Sequence, residues 1–325
     1  MNYKVGSTTI SKIKNQKDID DFVKSLNIKS NTVLIKPNWV DGLNASHTEA
    51  EVLDMFLKSL KRKVIFIESY TFWRNKKMAK QGNKEDYFSS KEATVDTGKK
   101  HWNFFKEQDK WFFKYTKLDK LFKKYNAEYI SITNEVWNRD TVKSSIIQNV
   151  VKKNYDRVNF KELYSYVPEK LYKYKGADLI SFAKAKIDRG YGYTLSIKNL
   201  FGLIPDPNRY DKYHGEEEEN LIHSIINMHK IYQSLFEVKF VVDGVFKACS
   251  MDFDTEKTIS YDNWGVILGG NNALEIDEIG AKLLGTKLKG ALKELPAKYE
   301  KNFGGFDKSI LKNIPKHLYL KKRCV

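Results

Sequence analysis

Two cysteines, Cys249 and Cys324, are all that the 325 residues hold, and that scarcity excludes several kinds of protein at once. Two thiols far apart in sequence cannot ligate an iron–sulfur cluster or a cysteine-based structural zinc, and they give no disulfide framework. No iron–sulfur cluster is expected, and reduced thiols in a cytosol are the simple reading. No apolar run approaches the ~18 residues that a membrane-crossing helix needs, so no membrane is expected as a partner. From Met1 to Asn15, Lys4, Lys12 and Lys14 interrupt the polar residues, and the apolar centre of a signal peptide never forms. The expected location is the cytoplasm. A zinc-ligand spacing, a P-loop and a dinucleotide fingerprint are also missing, so no metal is assigned and any other cofactor stays open. No fixed-period repeat is present.

Positive charge, by contrast, is in excess: 57 Lys and Arg against 41 Asp and Glu give a net +16. Such a charge draws anionic partners by long-range attraction. The lysines are scattered along the chain, so much of the excess reads as solvated surface. Apolar residues at 41% are ample for a packed interior. The length is about twice that of an average domain, yet α/β chains of this size fold as single units.

Val33-Leu34-Ile35 predicts a short buried strand stopped by Pro37, which cannot donate to a ladder. Glu49 to Leu60 carries Val52, Leu53, Phe56, Leu57 and Leu60 at helical spacing, with Thr48 as its cap, and Val64 to Ile67 predicts the next strand. Strand, helix, strand is a parallel crossover. The alternation recurs at Leu118 to Tyr125, Glu128 to Ile132, Asp178 to Phe182, Leu221 to Tyr232, Phe240 to Val242, Val266 to Leu268 and Ala273 to Leu284. The expected fold is α/β, a mostly parallel sheet with helices on both faces, built as a single unit over residues 1–325. Tyr70 to Lys117, rich in lysine and aromatics, is expected as an insertion over the sheet, and residues 286–325 as a basic tail.

Several segments resemble the domain of unknown function 362 family. They are Val33 to Trp39, Ser46 to Val52, Ile65 to Ser69, Ser196 to Pro205 with Tyr213-His214, Val241 to Gly244, and Asp277 to Gly285. Their order also fits, and the Lys198-Asn199 block is the most specific. The resemblance implies a fold and a site location more than a chemistry. The family's lysine, threonine and histidine group after the strand near Phe182 reads here as Lys184-Ala185-Lys186-Ile187-Asp188, with Asp188 at the histidine position. The family's glycine-rich turn after Asp243-Gly244 is replaced by Ala248-Cys249-Ser250. Ferredoxin-like cysteine motifs of many relatives are missing, so a redox role does not transfer.

Ligands of open α/β sheets settle outside the carboxyl ends of parallel strands, which directs attention to polar residues just after strands. Lys36, Lys184, Lys186 and Lys198 are expected to hold an anionic substrate, with Asn38 and Asn199 fixing a carbonyl or hydroxyl. His214, Asp188, Asp243 and Asp277 are the candidates for proton transfer. Asp277, inside an apolar helix pattern, is expected to partner a lysine. The resulting expectation is an enzyme or enzyme-like binder of a small phosphorylated or carboxylated ligand. The alternative is a nucleic-acid binder that uses its basic charge and the insertion aromatics for backbone neutralisation and stacking. A scaffold with a degenerate site is a third reading, and oligomeric state is not legible.

Overall fold

The chain opens with a hairpin, β1 (Asn2–Val5) and β2 (Thr8–Lys12), turned at Gly6, whose φ of +61° suits glycine. The computed structural model of the protein describes residues 1–43, 45–71, 73–74, 102–206, 208–252 and 257–321. Helix α1 (Gln16–Ser25) starts where Asn15 and Asp18 form a reciprocal capping box. The crossover predicted from the sequence follows as β3 (Thr32–Pro37), α2 (Ala50–Leu60) and β4 (Lys63–Glu68), with β3 and β4 parallel. Thr48 does not cap α2. Glu49 holds that position without a side-chain bond, while the Thr48 hydroxyl accepts from the Asn38 amide and donates to the Phe182 carbonyl.

Helices α3 (Trp102–Tyr115) and α4 (Leu118–Tyr125) lead to β5 (Glu128–Ser131), and α5 (Ile132–Asn138) and α6 (Ser144–Val151) precede β6 (Asp178–Lys184). Next come β7 (Lys186–Asp188) and β8 (Gly192–Thr194), then α7 (Leu221–Leu235) and β9 (Glu237–Gly244). Strands β10 (Lys247–Asp252), β11 (Lys257–Asp262) and β12 (Val266–Gly270) are followed by α8 (Ala273–Leu284) and α9 (Leu295–Phe303). Asn272 caps the start of α8 and Gly285, at φ +63°, closes it.

The main sheet runs β1-β2-β12-β9-β6-β3-β4-β5. Its five strands from β9 to β5 are parallel, and the remaining edge is antiparallel. From β3 the chain winds out through β4 and β5, then crosses back to β6 on the other side of β3 and on to β9. The winding therefore reverses between β3 and β6, the place where an open sheet leaves a crevice at its carboxyl end. A second sheet, β11-β10-β7-β8, lies beyond that end because β6 runs on into β7 and β9 into β10.

Side chains alternate across the sheet. Val33 and Ile35 join the apolar layer of α1 to α4, while Leu34 joins the layer of α6 to α9. Helices thus cover both faces. Of the insertion expected over Tyr70 to Lys117, residues 72 and 75–101 lie outside the described residues. The remainder packs inward, with Phe112 against the sheet layer and Phe105 against Tyr70 and Trp137. Residues 286–321 are not a tail. Leu292, Leu295, Tyr299, Ile314 and Leu318 are buried in the core, and the weak pattern in this stretch reflects short turns that each contribute one or two apolar side chains.

Phe112 is fully buried and touches Trp39, His47 and Phe113. Phe112→Ala is expected to cost about 3–5 kcal/mol through lost burial and a residual cavity. Denaturant unfolding measures this, and an unchanged midpoint would show that α3 contributes nothing to the fold.

Candidate functional site

At the carboxyl end of β3, the buried Lys36 ammonium donates to the Pro37 carbonyl at 2.9 Å, to Glu68 at 3.0 Å and to Asn199 Oδ1 at 3.2 Å. Gly202 lets it sit there, since a Cβ at that position would lie 2.6 Å from Nζ. Burial pushes the Lys36 pKa down to about 8, with Glu68 pulling the other way. The amide of Asn199 donates to the Lys36 carbonyl and to Ser181 Oγ, and Asn38 Nδ2 donates to Asn199 Oδ1. Lys186 then donates to Asn38 Oδ1 at 2.8 Å and to the Ser46 carbonyl at 3.2 Å. One hydrogen-bonded chain thereby ties β3, β6, β7 and the Ser196–Asn199 turn together.

Lys198 stands on that turn and is different. Among the described residues its half-buried ammonium has no hydrogen bond or ion pair, only the Tyr191 ring, whose centroid is 3.9 Å away. Burial holds its pKa down at about 8, against the pull of Asp188. Arg209 is pinned by the carbonyls of Ile204, Gly202 and Tyr70. His214 Nε2 lies 3.2 Å from the Tyr191 hydroxyl, which donates to Glu218. Burial, with Lys198 and Arg209 nearby, lowers the His214 pKa to about 3, so the imidazole is neutral at physiological pH. Asp188 accepts from the Gly190 and Tyr191 amides and so closes the β7–β8 turn.

These groups surround a cavity of about 90 Å³, where a single water needs roughly 10–15 Å³. Lys36, Asn38, Lys186, Asp188, Lys198, Asn199 and His214 line it, so the structure brings together seven of the ten candidate residues. Its lining includes four cations, Arg209 being the fourth, and one carboxylate, Asp188. A larger depression of about 890 Å³ beside β11 gathers no comparable group, and its Lys12 is already bonded to the Trp264 carbonyl. Among the described residues no set of His, Cys, Asp and Glu could hold a metal ion, and no helix is long and apolar enough to cross a membrane.

Three candidates lie elsewhere. Lys184 follows Ile180 and Phe182 onto the opposite face of the sheet, where it pairs with Asp243 at 2.8 Å and Glu49 at 2.5 Å. Burial opposes its charge, but the two carboxylates raise its pKa overall. Burial also carries Glu49 up to about 7. Lys184 and Asp243 form a buried ion pair and do not line the cavity. Among the described residues Asp277 has no lysine partner. Its carboxyl accepts from Ser196 N at 2.8 Å, Ile197 N at 3.1 Å and Ser196 Oγ, and burial pushes its pKa up to about 7. Together with His229, whose Nε2 is 2.8 Å from the Ile197 carbonyl, it holds the turn that carries Lys198.

Arg209, Tyr191 and Glu218 were missed. Tyr191 was within reach, between two glycines after β7, and Arg209 sits in the loop that leads to His214, but nothing in their spacing marks them as neighbours. Compared with protein-family models, residues 33–282 match the one described as Domain of unknown function (DUF362). No curated protein and no solved structure matches the chain.

Breaking the pair by Asp243→Asn strands a fully buried ammonium on Glu49. A loss of about 3–5 kcal/mol is expected, read by chemical denaturation. Wild-type stability in that variant would mean that the ion pair is dispensable.

Proposed function

The chain belongs to the family described as domain of unknown function (DUF362), and because that description carries no chemistry, we propose from the site itself that it is an enzyme or enzyme-like binder of a small carboxylated or phosphorylated ligand. The observation that carries this reading is Lys198. A charged group removed from water is costly unless it is paired, and here an ammonium at the cavity wall makes no hydrogen bond or ion pair among the described residues, with the Asp188 carboxylate acting on it only at longer range. A small anion completes the arrangement. Lys186, held by neutral oxygens, adds positive charge to the same wall, where Arg209 is held by carbonyls and paired with Asp206 at 3.5 Å. Asn38 and Asn199 act by fixing the lysines, since their amides are committed to the protein. His214, neutral and at the cavity wall, is placed to hydrogen-bond the bound molecule.

The nucleic-acid reading has less support. Of the insertion aromatics it relies on, Phe105 and Phe112 are buried and Trp111 stacks on Tyr115 at 4.9 Å. Oligonucleotides therefore serve as a contrasting arm of the test.

The experiment is a thermal-shift titration with inorganic phosphate, acetate, pyruvate, lactate and a short oligonucleotide. At a hundredfold excess over Kd a ligand adds ~2.7 kcal/mol, or several degrees. Lys198→Met, which keeps chain length and removes charge, is expected to abolish the small-anion shift without lowering the unliganded midpoint. Because Lys36 and Lys198 hold their protons only below about pH 8, affinity is expected to fall as pH rises through that value. A shift that survives Lys198→Met, or one that grows with pH, overturns the reading. A shift confined to oligonucleotides and erased by salt replaces it with nucleic-acid binding.

A further inference from the structure

Lys198 differs from the other cavity cations in a way that matters for reaction as well as for binding. Lys36, Lys186 and Arg209 each spend their protons on hydrogen bonds to the protein. Lys198 spends none and faces an aromatic ring on one side and the cavity on the other. Its neighbours at the wall include the apolar Leu195 and Phe201, and a lysine in apolar surroundings with other cations near it is disposed to lose its proton and become a nucleophile. Its turn is held from behind by Asp277 and His229. His214 lines the same cavity as a neutral imidazole.

Resting on the small-anion reading, we infer that Lys198 forms an imine with a carbonyl carried by the bound anion, which makes 2-oxo acids the substrate class. The carboxylate takes the fixed cations and the carbonyl faces Nζ. In the step itself the neutral amine adds its lone pair to the carbonyl carbon, and the C=O electron pair moves to oxygen. The nitrogen proton passes to that oxygen, giving a carbinolamine. Loss of the hydroxyl with the second nitrogen proton, as water, leaves the C=N bond. No oxidant or reductant is consumed.

The test uses the full chain with pyruvate or glyoxylate and sodium cyanoborohydride, which reduces an imine to a stable secondary amine, followed by peptide mapping. The expected result is one adduct per chain at Lys198, blocked by excess lactate and lost in Lys198→Arg, which keeps the charge but not the nucleophile. Adduct formation is expected to rise as pH passes about 8 while lactate affinity falls, because the amine and the ammonium are opposite states of one group. If pyruvate and lactate both stabilise the protein and Lys198 stays unmodified, the imine is wrong and anion binding stands. If neither stabilises it and Lys198 stays unmodified, both readings fall. Labelling spread over surface lysines without preference for Lys198 also overturns the inference.

Discussion

An ammonium withdrawn from water has to be met by oxygen, and the ways in which this protein meets that demand organise the carboxyl end of its sheet. Lys184 is answered by two carboxylates and becomes structural. Lys36 is answered by one carboxylate, a carbonyl and an amide. Lys186 is answered by neutral oxygens alone, and Lys198 by a ring face. The four form a gradient of compensation, from a closed ion pair at one side of β6 to an open charge at the cavity. Lys36, Lys186 and Lys198 line the cavity, while Lys184 lies on the other face of the sheet.

How much of this was legible in the sequence depended on whether a signal was local. The strand at Val33-Leu34-Ile35, the helix ending at Leu60 and the crossover between β3 and β4 follow from period and punctuation, and the order of the resembling segments identified the family. Lys184 and Lys186 show where local reading stops. Two residues apart, they look like one pair on one face, and an uninterrupted strand would make them so. The chain instead changes sheets at Ala185, so one lysine reaches the helical layer of α1 and α2 and the other reaches the cavity. Asp277 was legible as buried, but its partners, the amides of Ser196 and Ile197, are 80 residues or more away in sequence. Arg209 takes the carbonyls of Gly202 and Ile204 and the Asp206 carboxylate from its own segment, but what ties it to the sheet is the Tyr70 carbonyl, 139 residues away.

Rigidity in the site is distributed in the same way. The Ser196–Asn199 turn is too short to be stable alone, since helix nucleation is costly. It persists because Asp277 satisfies its first amides, His229 engages the Ile197 carbonyl, and Asn199 locks onto β3 and β6. Within the turn, Lys198 is the residue whose side chain makes no hydrogen bond or ion pair among the described residues. Such an arrangement lowers the ordering cost of binding, because the ligand has one side chain to settle and not a loop.

Net charge and site charge act at different ranges. A formal +16 raises the local concentration of every anion, polymeric or small, and salt screens that attraction over about 10 Å. It therefore favours encounter without choosing a partner. In the proposed reading the cavity does the choosing, through its size of about 90 Å³ and through Lys198, the one lining cation without a hydrogen bond or ion pair among the described residues. A phosphodiester chain can neutralise the surface, but it gains little from a recess this small. An anion with its charge at one end and a short body fits both conditions, which is why the proposed reading ties selectivity to one lysine more than to the other basic residues around it.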